Sequence, residues 1–86
     1  MTYAVSISLP AFKALVHLPK DVKQRIRAAL GGLAGNPRPD GSVKLRGSFK
    51  NGWRIRIGGY RVLYTIDDQA RTVTVFLIGP RDAVYQ

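Results

Sequence analysis

The chain contains no cysteine and no glutamate, and only one histidine, one tryptophan and one methionine among its 86 residues. Without cysteine there is no disulfide framework, no thiolate metal site and no cysteine nucleophile. A single histidine excludes a histidine-rich zinc centre. Acidic charge is scarce: five aspartates stand against 14 Lys+Arg, a formal net charge of +9. The longest apolar run, Val75-Phe76-Leu77-Ile78, is far short of the roughly 18 residues that a membrane-spanning helix needs. The first residues carry no charged n-region followed by an apolar h-region, so no signal peptide is expected and a cytoplasmic location is.

What is present is apolar enough to fold. At 45% hydrophobic and 22% charged, the chain lies outside the range of a disordered basic tail. Its length suits one domain over residues 1–86. A domain of this size buries only about 60% of its unfolded surface, so a stabilising partner is expected to matter. The basic balance points to a polyanionic partner, most simply nucleic acid.

Residues 3–8 alternate, with Tyr3, Val5 and Ile7 on one face, and predict a strand. Pro10 suits the first turn of a short helix in which Ala11, Phe12, Leu15 and Val16 form the buried stripe, ending near Leu18. After Pro19 a second helix places Val22, Ile26, Ala29, Leu30 and Leu33 on one side, with Asp21 in its first turn and Gly31, Gly32 and Gly35 loosening its end. Residues 36–41 read as a turn-rich connection. Trp53-Arg54-Ile55-Arg56-Ile57 alternates strictly, Gly58-Gly59 is a two-residue hairpin turn, and residues 60–66 form the return strand. Residues 72–78 predict a third strand whose continuous apolar character implies a central position covered on both faces. The order is β-α-α-β-β-β: an α+β fold with a small, mostly antiparallel sheet and two N-terminal helices packed on one face.

The hairpin concentrates one sign of charge. Residues 41–66 carry six cations (Lys44, Arg46, Lys50, Arg54, Arg56 and Arg61) and no acid. The two-residue turn pairs Ile57 with Tyr60, Arg56 with Arg61, Ile55 with Val62 and Trp53 with Tyr64. Trp53, Ile55, Ile57, Tyr60, Val62 and Tyr64 then face the core, while Arg54, Arg56 and Arg61 share the opposite face with Leu63. Two opposed cations about 5 Å apart repel by roughly 1 kcal/mol in water and about 3 at an effective dielectric near 20. A bound phosphate would relieve that repulsion, so this face reads as an anion site. Other residues have plainer readings. His17 is a surface residue, Asp67 and Asp68 are turn formers, and Trp53 belongs to the core more readily than to a base-stacking platform. Lys20, Lys23 and Arg27 form a helical stripe that is either a solvated face or an auxiliary contact to a nucleic-acid backbone. Tyr85 either docks the chain's end or projects a phenol.

Together, Leu45-Arg46-Gly47, the Trp53–Tyr64 hairpin with its Tyr60-Arg61-x-x-Tyr64 return, Ile78-Gly79-Pro80-Arg81 and Val84-Tyr85 resemble the RelE/ParE superfamily of bacterial toxins over essentially the whole chain. The resemblance implies a RelE-like toxin of a type II toxin–antitoxin module. Such a toxin is a metal-independent endoribonuclease that cuts messenger RNA in the ribosomal A site without a cofactor. ParE-like inhibition of DNA gyrase is the alternative. It further implies Arg54, Arg56, Arg61, Arg81 and Tyr85 as catalytic residues, with Lys20, Lys23, Arg27, Lys44, Arg46 and Lys50 contacting RNA or the ribosome. RelE-like proteins often carry lysines where this chain has Arg54 and Arg56. A guanidinium does not give up its proton, which leaves Tyr85 as the candidate base. The implied partners are the ribosome with its messenger and ribosomal RNA, and a cognate antitoxin whose acidic segment wraps the toxin, with a toxin–antitoxin heterotetramer as the expected assembly.

Overall fold

A computed structural model describes residues 2–47 and 51–80. Strand β1 (Ala4–Ile7) leads into helices α1 (Leu9–Val16) and α2 (Lys20–Gly35), followed by strands β2 (Val43–Lys44), β3 (Gly52–Ile57), β4 (Tyr60–Asp67) and β5 (Thr72–Pro80). The five strands form one sheet in the order β1-β5-β4-β3-β2. β1 runs parallel to β5, and every other neighbouring pair is antiparallel. The α+β fold with two N-terminal helices is as the sequence implies, with a fifth, two-residue edge strand that the alternation rule cannot detect because Val43-Lys44 is too short to alternate.

Local chemistry places the helices. Ser8 caps α1, its Oγ accepting from the Ala11 amide at 3.3 Å, and Pro10 occupies the first turn, where a missing N–H costs nothing. Only Ala11 and Leu15 of the expected α1 stripe are buried. Phe12 is 49% and Val16 41% exposed. With only eight residues, α1 offers the core barely two turns. Helix α2 buries Ile26, Leu30 and Leu33. It continues through Gly31 and Gly32 to Gly35, where the Asn36 amide closes it on the Gly32 carbonyl at 3.0 Å. The burial of Leu30 and Leu33 outweighs the roughly 1 kcal/mol by which each glycine disfavours a helix.

Hairpin β3–β4 has the expected register, from Ile57 opposite Tyr60 to Trp53 opposite Tyr64. Gly58 turns at φ +59°, a conformation that side chains beyond glycine rarely adopt. β5 lies inside the sheet, between β4 and β1. Its apolar run has a different cause from the one expected. A register shift between Leu63 and Tyr64 sends Val73, Val75 and Ile78 inward and leaves Leu77 37% exposed on the other face. The run therefore marks a bulge, which breaks strict alternation, rather than cover on both sides.

The core joins Leu15, Ile26, Leu30 and Leu33 to Ile55, Val62, Tyr64, Ile66, Val73, Val75 and Ile78. Tyr64 is fully buried, and its hydroxyl donates to the Pro37 carbonyl at 2.8 Å. At the end of the sheet, Asp68 accepts from the Tyr3 hydroxyl at 2.6 Å and from both terminal nitrogens of Arg38 at 3.3 and 2.9 Å. Arg38 also lies 5.3 Å from the centre of the Trp53 ring. This clamp ties the start of β1, the α2–β2 loop and the β4–β5 turn together. No helix among the described residues is long and apolar enough to cross a membrane.

Candidate nucleic-acid interface

Alternation decides which side chains meet on the face of the sheet turned away from the helices. β3 contributes Arg54 and Arg56, and β4 contributes Arg61 and Leu63. Arg56 stands opposite Arg61, and Arg54 stands opposite Leu63. On its other side Arg61 faces Gly79 of β5, which presents no side chain to crowd it. Arg61 is 6% exposed, the one buried charged residue among those described. Arg54 is half-buried and Arg56 is exposed. The three cations thus range from a fixed, shielded guanidinium to a solvated one, along one rim of the face. Such an array can hold a phosphodiester by paired N–H···O bonds and oppose charge developing on its oxygens.

The remaining sequence-derived candidates do not all join this face. Lys44 pairs with Trp53 and brings its ammonium 5.6 Å from the centre of that ring, on the helix-facing side of the sheet. Arg46 is exposed just beyond β2, and Lys20 is exposed at the start of α2. Lys23 and Arg27 lie instead in a groove of about 490 Å³ between α1, α2 and β1, lined by Val5, Ile7, Phe12, Val16 and Leu30. Lys50, Arg81 and Tyr85 lie outside the described residues. His17 is exposed at the C-cap of α1. Asp67 forms the expected turn, its Oδ1 accepting from the Ala70 amide at 3.0 Å. Asp68 does more than turn the chain, since Arg38 and the Tyr3 hydroxyl hold its carboxyl down at about 2. Among the described residues no three His, Asp or Glu side chains gather in a way that could hold a metal ion.

The groove is the feature that sequence reasoning missed. Phe12 and Val16 keep helical spacing with Leu15, so periodicity assigns them to the core. What periodicity does not convey is that β1 is an edge strand, with no further strand to close the space beside it. The result is an apolar channel with cations at its rim.

Residues 5–85 match the family model of the ParE toxin of the type II toxin–antitoxin system parDE. The chain is 33% identical to Toxin RelE of Mycobacterium tuberculosis, an alignment covering 98% of this chain and 87% of that protein. Its fold is similar to that of the archaeal RelE–RelB complex from Pyrococcus horikoshii, with a TM-score of 0.84 and 32% identity over 94% of this chain and 97% of the other. It is also similar to a chain of the intact Escherichia coli RelBE toxin–antitoxin complex, with a TM-score of 0.80 and 26% identity over 91% and 95%. A small α+β domain with two N-terminal helices on one face of its sheet and a basic opposite face has the fold of these toxins. The chain belongs to the RelE/ParE superfamily and is a RelE-family toxin of a toxin–antitoxin system.

Proposed function

We propose that this toxin is a ribosome-dependent endoribonuclease that cuts messenger RNA in the A site. The observation that supports this reading is the placement of Arg54, Arg56 and Arg61 on one open sheet face, with Arg61 buried and directly opposite Arg56. RNA carries its own nucleophile, so the protein need supply only alignment, charge stabilisation and proton transfer. The 2′-oxygen bonds to the adjacent phosphorus and the P–O5′ bond breaks, giving a 2′,3′-cyclic phosphate and a 5′-hydroxyl. The 2′-hydroxyl proton leaves to a base and the departing O5′ gains one. Arg56 and Arg61 neutralise the pentacoordinate oxygens, and Arg54 holds a neighbouring phosphate. By resemblance, Arg81 stabilises the leaving oxygen and Tyr85 serves as the base. No step calls on a metal or cofactor. A protein this small relies on the ribosome to order the codon.

The cognate antitoxin is the second partner, as RelB is for the relatives in the P. horikoshii and E. coli complexes. An acidic segment folding over Arg54, Arg56 and Arg61 would offset their mutual repulsion. The groove beside β1 offers that partner an apolar seat with Lys23 and Arg27 at its rim, suited to an amphipathic helix with acidic flanks.

The test is primer-extension mapping of a defined message in a purified translation system, with wild type and Arg61→Ala in parallel. Cuts inside the A-site codon are expected from the wild type, absent with the variant and absent without ribosomes. Cleavage that survives a 2′-deoxy substitution at the cut site would overturn the mechanism. The matching ParE family model favours one other reading, a gyrase inhibitor without nuclease activity. An intact message together with inhibited supercoiling by the purified toxin would establish it instead.

A further inference from the structure

A fourth arginine reaches the same hairpin from the opposite side of the sheet. Arg25 lies on α2, in a stripe with Ala29 and Gly32, four and seven residues on. Ala29 and Gly32 line a cleft against Ile55, Arg56 and Ile57, so this side of the helix faces β3. The Arg25 side chain ends at the hairpin turn. A Cβ built on Gly58 would lie 3.3 Å from its Nη1, 3.8 Å from its Nη2 and 3.9 Å from its Cζ. Gly58 is held to glycine by its φ of +59°, and the Arg25 guanidinium lies close against it.

Among the described residues the one ion pair is Arg38–Asp68, so no described carboxylate comes within 4 Å of Arg25, although Asp21 precedes it by one helical turn. Arg25 is exposed, and its guanidinium end lies against the turn. Gly58 lies two residues from Arg56, about 7 Å along the strand. Arg56 and Arg61 project from the open face and Arg25 approaches from the helix face. Arg25 thus adds a cation on the helix side of the hairpin tip, next to the strand ends that carry Arg56 and Arg61. A planar guanidinium fork at the tip of a hairpin that carries Arg56 and Arg61 fits a phosphate oxygen pair.

We propose that Arg25 forms a phosphate-binding subsite at the β3–β4 tip, which carries an RNA strand from the Arg56–Arg61 face around the turn. This rests on the RNA reading above and extends it to a residue outside the arginine row. Arg25 is a binding residue in this scheme, holding a phosphate next to the one that reacts.

The experiment uses the full-length toxin and a short, fluorescent 2′-O-methylated oligoribonucleotide, which cannot be cleaved. Affinity is followed by anisotropy across a salt series. Arg25→Gln is expected to weaken binding several-fold at low salt and to reduce the slope of log K against log salt by about 0.7, the value for one phosphate contact on a single strand. Arg25→Lys keeps the slope, and Lys13→Gln, which removes an exposed cation on α1, leaves slope and affinity near wild type. Melting curves on the same samples show whether Arg25→Gln remains folded. An unchanged slope for Arg25→Gln, an equal loss for Lys13→Gln, or a wild type that fails to bind the probe at low salt overturns the subsite. The ribosomal cleavage assay is read separately. A-site cuts with an unchanged slope sink only the subsite, while a lost slope with no cuts leaves the subsite standing and sinks the nuclease reading.

Discussion

Arg56 on β3 and Arg61 on β4 face each other directly across the hairpin, and the more buried of the two has glycine as its other neighbour. A fold selected for stability alone would place an acid or an apolar residue opposite a buried guanidinium. Removing the exposed partner should therefore separate stability from function. Arg56→Gln is expected to raise the melting temperature by about 2–5 °C at low salt, less at high salt, because opposed like charges are destabilising. The same variant should lose at least about tenfold in A-site cleavage, since a charge opposing the developing phosphorane is gone. Thermal melts at two ionic strengths and the cleavage assay check both halves. A variant both less stable and fully active would contradict this account.

Much of this relationship is legible in the sequence. A two-residue turn at Gly58-Gly59 and strict alternation on either side fix the register, so the opposition of Arg56 and Arg61 follows from counting. The burial of Arg61 does not follow from counting, because register records which residue lies opposite and not what covers the side chain. The groove is hidden for a related reason. Helical spacing records that Phe12 and Val16 share a side with Leu15, but not that β1 leaves that side open. Arg25 gives no signal in the sequence because its neighbour, Gly58, is 33 positions away in the chain and offers no pattern to read.

The buried Tyr64 hydroxyl should set the alkaline limit of stability. Burial pushes its pKa up from the ordinary 10 to about 12. A group whose folded pKa is raised contributes stability that is full below the unfolded value and lost as pH rises through the folded one. That contribution is present below pH 10 and disappears between about 10 and 12. Tyr64→Phe removes this alkaline limb. It also leaves the Pro37 carbonyl without its donor, at a cost of about 1–2 kcal/mol near neutral pH. Denaturant melts of both proteins from pH 7 to 12 give the comparison, with curves that converge at the alkaline end.

Asp68 should govern the acid limit in the opposite sense. Its hydrogen bonds from Arg38 and the Tyr3 hydroxyl hold its carboxyl at about 2, below the ordinary 3.8. A depressed folded pKa contributes stability present above the unfolded value and lost as pH falls through the folded one. The window is therefore about pH 4 to 2. Asp68→Asn should flatten that part of the acid transition. It should also lower the pKa of Tyr3, which the Asp68 hydrogen bond raises. Acid titration followed by circular dichroism, with ultraviolet titration of the tyrosines, measures both. An acid limb unchanged in Asp68→Asn would show that the clamp contributes nothing in this range.

The groove makes the last prediction, and it turns on a side chain that the core buries only in part. Phe12 is 49% exposed, so Phe12→Ser gives up about half the burial of a core phenylalanine and should lower the melting temperature by roughly 5–10 °C while the domain stays folded. If an amphipathic antitoxin helix seats its apolar face beside Phe12 and Val16, the same change removes an aromatic anchor from the interface. The toxin–antitoxin complex should then weaken by at least about tenfold, roughly 1.4 kcal/mol, and chiefly through faster dissociation. Charge at the rim acts differently: Lys23→Gln with Arg27→Gln should slow association and reduce its salt dependence while leaving dissociation nearly unchanged. Surface plasmon resonance with immobilised antitoxin separates the two rates. Should both variants alter only association, the groove would be a steering surface rather than a seat. Should neither alter anything, the antitoxin would be held by the arginine face alone.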